Sequence, residues 1–174
     1  MTRGPRRAPT ANRRRPAISL PYLTPLDRAQ MDEAGVPAGW PFGLADRVRF
    51  SEIDALSHVN HTAYLRWFES LRVLYMRERG ISPYDGTGPL IVLKSVTMEY
   101  RREMFLGEDY VVTARTASFR RASLEMHYAA FAPDLRAEGT AVIVLMARDG
   151  SGKHPLSEEQ KALLTRLDGA RDAS

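Results

Sequence analysis

Apolar positions recur at helical spacing from Tyr64 onward, at Tyr64, Phe68, Leu71, Leu74 and Tyr75, and Gly80 follows as a stop. This spacing predicts one long, well-buried helix. Beyond Gly80 the period changes from helical to alternating. Leu90 to Tyr100 reads as a strand with Leu90, Val92, Val96, Met98 and Tyr100 on one side, and Asp109 to Phe119 and Ser123 to Phe131 read as two more. Leu106-Gly107-Glu108-Asp109, Phe119-Arg120-Arg121 and Ala132-Pro133-Asp134 supply the turns between them. Gly139 to Ala147, GTAVIVLMA, is almost continuously apolar, which predicts a central strand. Asp149-Gly150-Ser151-Gly152 ends it, and Ser157 with Gln160 forms a capping box for a short last helix. Upstream, Thr24-Pro25-Leu26-Asp27 reads as a helix start with proline in the first turn and Gly35 as its stop. VPAGWPFGLA reads as a connector, and Arg47 to Phe50 as the beginning of the first strand.

The order is strand, long helix, then four strands. A single helix that is apolar over much of its surface hides that surface only if the sheet curls around it. The expectation is an α+β hotdog fold, a five-stranded antiparallel sheet wrapped around one central helix. Domain boundaries are expected at residues 1–23 for a basic disordered tail, 24–44 for an extension with a short helix, and 45–168 for the hotdog domain.

Charge refines this picture by its location. The chain carries +4 overall, yet residues 1 to 26 hold six arginines and no acid, which leaves the body at −2. A basic body that would grip nucleic acid is therefore absent, and the Pro- and Arg-rich start reads as solvated. Absence of cysteine excludes disulfides, thiolate metal sites and a cysteine nucleophile. The histidines, at 58, 61, 127 and 154, show no metal-ligand spacing, so neither metal nor cofactor is expected. No run approaches a membrane span, and a cytoplasmic setting is expected.

Candidate chemistry concentrates just before the long helix. Asp54 to Arg72 reads DALSHVNHTAYLRWFESLR: a lone carboxylate, a turn with His58 and Asn60, then the apolar helix. The first turn of a helix carries unpaired N–H groups and the positive end of the dipole. A carboxylate facing that end across a substrate carbonyl could act as base or nucleophile while the amides near His61 to Ala63 polarise the carbonyl. Asn60 also suits a helix cap, and Glu69 and Arg72, three apart, suit an ion pair.

The stretch FSEIDALSHVNHTAYLRWFESLR, Phe50 to Arg72, resembles the 4-hydroxybenzoyl-CoA thioesterase-like hotdog family, with an Asp ten residues before a helical Tyr and a His-Val-Asn turn between them. HVNHTAYLRWFES is similar also to the corresponding segment of plant acyl-ACP thioesterases. Two positions depart from these patterns: Ser57 stands where a Gly often precedes His-Val-Asn, and Leu56 where the acyl-ACP family has Asn. The resemblance implies hydrolysis of an acyl-CoA or acyl carrier protein thioester. It assigns Asp54, His58 and Asn60 to catalysis, with Glu69 in reserve, and His61, Thr62, Tyr64 and Phe68 to substrate contact. It also implies a homo-oligomer, dimer or dimer of dimers, joined edge to edge with the pocket between subunits. Arg101, Arg102, Arg120 and Arg121 are the candidates for holding CoA phosphates, since guanidinium groups offer paired donors. Alternatives are a non-catalytic acyl-CoA-binding hotdog protein and a hotdog hydratase or dehydratase. The hydratase pattern needs five positions from Asp to His, whereas Asp54 and His58 are four apart.

Overall fold

The computed structural model describes residues 20–174. The first 19 residues of the expected tail lie outside it. Residues 20–23 already belong to the fold, because Tyr22 bridges to Ala45 and the Leu23 amide donates to the Ala45 carbonyl at 3.0 Å.

The long helix, α2, spans His61–Glu78. It begins three residues before the apolar period does, because Asn60 caps it: the Asn60 side chain accepts from the Thr62 amide at 2.9 Å. Its apolar face, with Leu71 and Tyr75 fully buried, packs on the inner face of an antiparallel sheet whose strand order is β1-β3-β4-β5-β2. The strands are β1 (Phe42–Arg47), β2 (Leu90–Tyr100), β3 (Asp109–Arg120), β4 (Ser123–Phe131) and β5 (Leu135–Met146). A two-residue β6 (Arg171–Asp172), not foreseen, pairs parallel with β3 and carries the fold past residue 168. The hotdog expectation holds; β5 is an interior strand, between β4 and the edge strand β2, while the central position its apolar run predicted belongs to β4.

The first strand corrects the sequence reading. It occupies Phe42–Arg47, inside what read as connector, while Phe50–Glu52 forms a 3-10 turn. The expected boundary at residue 45 therefore falls within β1. Alternation was absent there because both faces are buried. Leu44 and Val112 face α2, whereas Ala45 and Val111 face a second apolar cluster with Leu26, Met31, Val36, Ala129 and Phe131. Leu26, Met31 and Val36 of that cluster come from the extension, which holds the short helix α1 (Arg28–Glu33). Asp27 caps α1 in a capping box with Gln30, and Pro25 lies outside it, bridged to Leu44. Gly43 permits this packing: a side-chain carbon there would meet Met31 Sδ at 2.9 Å.

Coverage falls off across the sheet. At one edge, residues 22–26 hydrogen-bond to β1 and occupy its free backbone groups. At the other, β2 is bare, with Leu93 44%, Val96 38% and Tyr100 48% exposed. A bulge between Leu93 and Ser95 breaks the expected single face of β2. Tyr100, Met98 and Val96 pair with Ala137, Gly139 and Ala141 on the inner side, while Leu90 and Val92 pair with Met146 and Val144 on the outer side.

The final helix α3 (Glu158–Asp168), capped by Ser157, is pinned at its last residue. The fully buried Asp168 side chain accepts from Arg79 Nε at 3.0 Å, the Thr116 amide at 2.7 Å and the Tyr75 hydroxyl. Burial raises the Tyr75 phenol well above its ordinary value, with the Asp168 charge acting in the same direction.

Candidate active site

The segment before α2 folds as a closed turn. The Asp54 amide donates to the His58 carbonyl at 2.9 Å, and the Ser57 amide to the Asp54 carbonyl at 3.0 Å. Ser57 takes the left-handed conformation with φ 63°, which accounts for a glycine being common at this position. Ile53 bridges to Val59, and the Val59 amide donates to the Met104 carbonyl at 2.9 Å, fixing the turn to the segment after β2. Below it, the buried Glu52 carboxylate accepts from Trp67 Nε1 at 2.7 Å and from the Arg49 amide at 2.8 Å.

The half-buried Asp54 carboxylate uses one oxygen inside the turn. Its Oδ1 accepts from the Leu56 amide at 2.8 Å and, weakly, from the His58 amide at 3.4 Å. Oδ2 makes no hydrogen bond to a described residue. An open cleft of about 360 Å³ lies against it, lined by Asp54, His58, His61 and Tyr64 from the turn and helix, and by Tyr100, Arg101 and Arg102 from the end of β2. Tyr64 packs edge-on against Tyr100 at 5.4 Å between ring centres, and burial pushes its phenol up to about 12, so it stays protonated at neutral pH. The His58 ring stands edge-on to Phe105 at 5.3 Å.

At the helix start, the cap has consumed most of the free amides. The Thr62 amide is bonded to the Asn60 side chain and the Ala63 amide to the Asn60 carbonyl at 2.9 Å, while the Asn60 amide goes to the Glu52 carbonyl at 2.8 Å. The His61 N–H alone has no acceptor among the described residues. The donor expected from the His61 to Ala63 group is thereby narrowed to His61, at the positive end of an 18-residue helix.

The sequence-predicted residues divide into two groups. Asp54, His58, His61, Tyr64, Arg101 and Arg102 share one cleft. Asn60 serves as the cap, and Thr62 turns its hydroxyl to Asn60 Oδ1 at 2.7 Å, because both first satisfy the helix end. Phe68 is core, stacked on Tyr128 at 5.0 Å between ring centres. Glu69 is exposed, outside the cleft, and paired with Arg72 at 3.6 Å. Arg120 and Arg121 lie at the opposite end of the sheet, around a hollow shared with Lys94 and Lys153. Arg101 is engaged by Glu99 and Glu138, and Arg102 by Asp134. Tyr100 and Glu52 were missed. Tyr100 reaches the cleft by strand pairing alone, but the Glu two positions before Asp54 was a visible local signal.

Comparison with known proteins agrees with this architecture. Residues 48–164 match the thioesterase-like superfamily, and the chain belongs to that family of hotdog-fold thioesterases. A crystal structure of a thioesterase superfamily protein from Jannaschia sp. CCS1 is 46% identical with a TM-score of 0.82, covering 87% of this chain and 98% of that one. A thioesterase from Thermus thermophilus, solved with coenzyme A and Zn, is 28% identical with a TM-score of 0.67, over 76% and 98% of the two chains. A 1,4-dihydroxy-2-naphthoyl-CoA thioesterase from Synechocystis shares the fold at 15% identity and a TM-score of 0.63, over 73% and 97%.

Proposed function

We propose that the protein hydrolyses an acyl-CoA, or acyl carrier protein, thioester to free acid and thiol. The observation that carries this reading is the Asp54 Oδ2, unbonded among the described residues, beside the cleft that also receives His61, whose N–H at the start of α2 likewise has no acceptor among them. A thioester carbonyl with its oxygen at that N–H would have its carbon presented to Asp54, which attacks directly or takes a proton from water. As negative charge grows on the oxygen, the N–H and the helix dipole stabilise it; one such donor contributes about 3 kcal/mol to lowering the barrier. His58 would orient the water or the thiol side of the substrate.

The coenzyme A bound in the Thermus relative supports CoA as the thiol carrier. The bare β2 edge supports a homodimer, because an exposed apolar edge strand otherwise invites uncontrolled pairing. Antiparallel self-pairing of β2 would bring the Leu90 end of one copy to the Tyr100 end of the other. The Arg120 and Arg121 hollow of the second copy would then approach the Asp54 cleft, and in this arrangement those arginines hold the CoA phosphates.

The test is thiol release from a panel of acyl-CoAs, with light scattering on the same sample. Hydrolysis by a dimer or tetramer is expected. A monomer at micromolar concentration would sink the paired-edge arrangement, and no thiol release from any acyl-CoA would sink the activity.

A further inference from the structure

Arg72 is the charged residue of α2 that is buried, at 8% exposure, and both of its polar contacts are long. Its Nη1 donates to the Tyr128 hydroxyl across 3.4 Å, and Nη2 stands 3.6 Å from the carboxylate of Glu69, whose own side chain is 69% exposed. Another buried guanidinium in the same protein is treated differently. Arg79 meets the buried Asp168 at 3.0 and 2.9 Å. A mostly buried guanidinium held by long contacts alone is less favourably placed than one against a close carboxylate, so its position beside Tyr128 leaves room for a further acceptor.

The surroundings indicate where that acceptor comes from. Tyr128 faces the helix from β4, and its cross-strand row continues through Gly139 to Met98 on β2; the next row runs from Met126 through Ala141 to Val96. Arg72 therefore lies on the side of α2 that looks toward the bare edge strand, where Leu93, Val96 and Tyr100 leave apolar surface uncovered. At the other end of that stripe, Tyr100 and Tyr64 border the Asp54 cleft. An acyl chain whose carbonyl sits at Asp54 and His61 can run along α2 against this stripe and end at Arg72. Helical side chains lean toward the N-terminus, and the contact with Glu69 places the guanidinium near the level of residues 68–69. At 1.5 Å per residue, this is roughly 10 Å along the axis from His61.

We propose that Arg72 recognises a carboxylate at the far end of the acyl group, making ω-carboxyacyl thioesters, of about six to eight carbons by that axial distance, the substrate class. This inference rests on the thioesterase reading and on Asp54 marking the carbonyl end. The planar fork of Arg72 accepts a carboxylate through two parallel bonds, and the incoming group displaces Glu69 to solvent. An acyl chain ending in a methyl group leaves the guanidinium as it stands in the free protein.

The experiment compares kcat/KM for adipoyl- and suberoyl-CoA with that for hexanoyl- and octanoyl-CoA, in the parent, Arg72→Met and Arg72→Lys, with melting curves establishing that each is folded. The parent should favour the carboxylated substrates by about 10- to 100-fold, because a site built around a polar partner rejects the analogue lacking it. Arg72→Met should reverse that ratio, chiefly through KM, and Arg72→Lys should keep only part of it. A parent that prefers hexanoyl- or octanoyl-CoA, or an Arg72→Met protein with an unchanged ratio, overturns the inference. If Arg72→Met fails to fold, the parent ratio and Arg72→Lys decide. Hydrolysis without preference removes this inference alone, whereas no hydrolysis of any of the four removes the thioesterase reading and this inference with it.

Discussion

Glu52 and Trp67 are joined by a buried hydrogen bond of 2.7 Å between Oε1 and Nε1, which ties the turn before Asp54 to the second turn of α2. The other Glu52 oxygen holds the Arg49 amide, and its carbonyl receives the Asn60 amide. One carboxylate thus sets the distance between the candidate base and the helix start. Glu52→Leu should lower stability by about 2–4 kcal/mol, because the buried Trp67 N–H and the part-buried Arg49 amide both lose their acceptor. Glu52→Gln should cost less, since the amide oxygen still serves one of them. Urea denaturation measures both, and a Glu52→Leu protein as stable as the parent would refute the role of this tie.

Asp54→Asn should fold like the parent, because an amide oxygen still accepts from the Leu56 amide and preserves the turn. It should nevertheless lose about 100- to 10,000-fold in hydrolysis, having neither a base nor a nucleophile to offer. Glu69→Gln should cost far less rate and about 0.2–0.5 kcal/mol of stability through the weakened pair with Arg72. If turnover vanishes in Glu69→Gln and survives in Asp54→Asn, the base is assigned to the wrong carboxylate.

Ser57→Gly should raise the melting temperature. Ser57 holds φ at 63°, where a side chain is strained, and glycine relieves about 0.5–1 kcal/mol net of its extra freedom in the unfolded chain. Ser57→Val should move it the other way. Calorimetry on the two variants checks the sign.

Acid should weaken the end of the β1–β3 pair. Arg47 binds Asp109 through Nε at 2.6 Å and Nη2 at 3.0 Å, and this hydrogen-bonded guanidinium holds the Asp109 carboxyl below its usual range against the opposing effect of burial. A depressed folded pKa contributes stability that is complete above the unfolded value of about 3.9 and lost as pH falls through the lower folded value. Arg47→Leu should therefore melt below the parent at neutral pH, and the gap should close as pH drops beneath about 4. Because the pair is exposed, the neutral-pH gap should be small and should shrink in high salt. A gap that widens toward low pH would contradict the assignment.

Much of the site was legible locally. The spacing of Asp54 and Tyr64, the turn between them and the capping Asn60 all lie within one stretch of chain, where short-range hydrogen bonds decide the conformation. The helix start at His61 was legible from the capping Asn60 and not from apolar periodicity, since His61 and Thr62 are exposed. β1 escaped because alternation reports strands with one wet face, and residues 42–46 are buried on both faces.

By itself the sequence determined the elements and their order: one long apolar-faced helix, alternating strands after Gly80, and a carboxylate held in a turn at the helix entrance. These depend on residues close in the chain. Tertiary structure alone decided which strand is left bare, that residues 22–26 cover the opposite edge, that Tyr100 and Arg101 reach the Asp54 cleft while Arg120 and Arg121 do not, and that Arg72 is buried with the Glu69 carboxylate at 3.6 Å. The physical reason is that strand order and register are settled by burying the helix face and closing backbone hydrogen bonds between segments far apart in the chain. No local pattern carries the outcome of that competition.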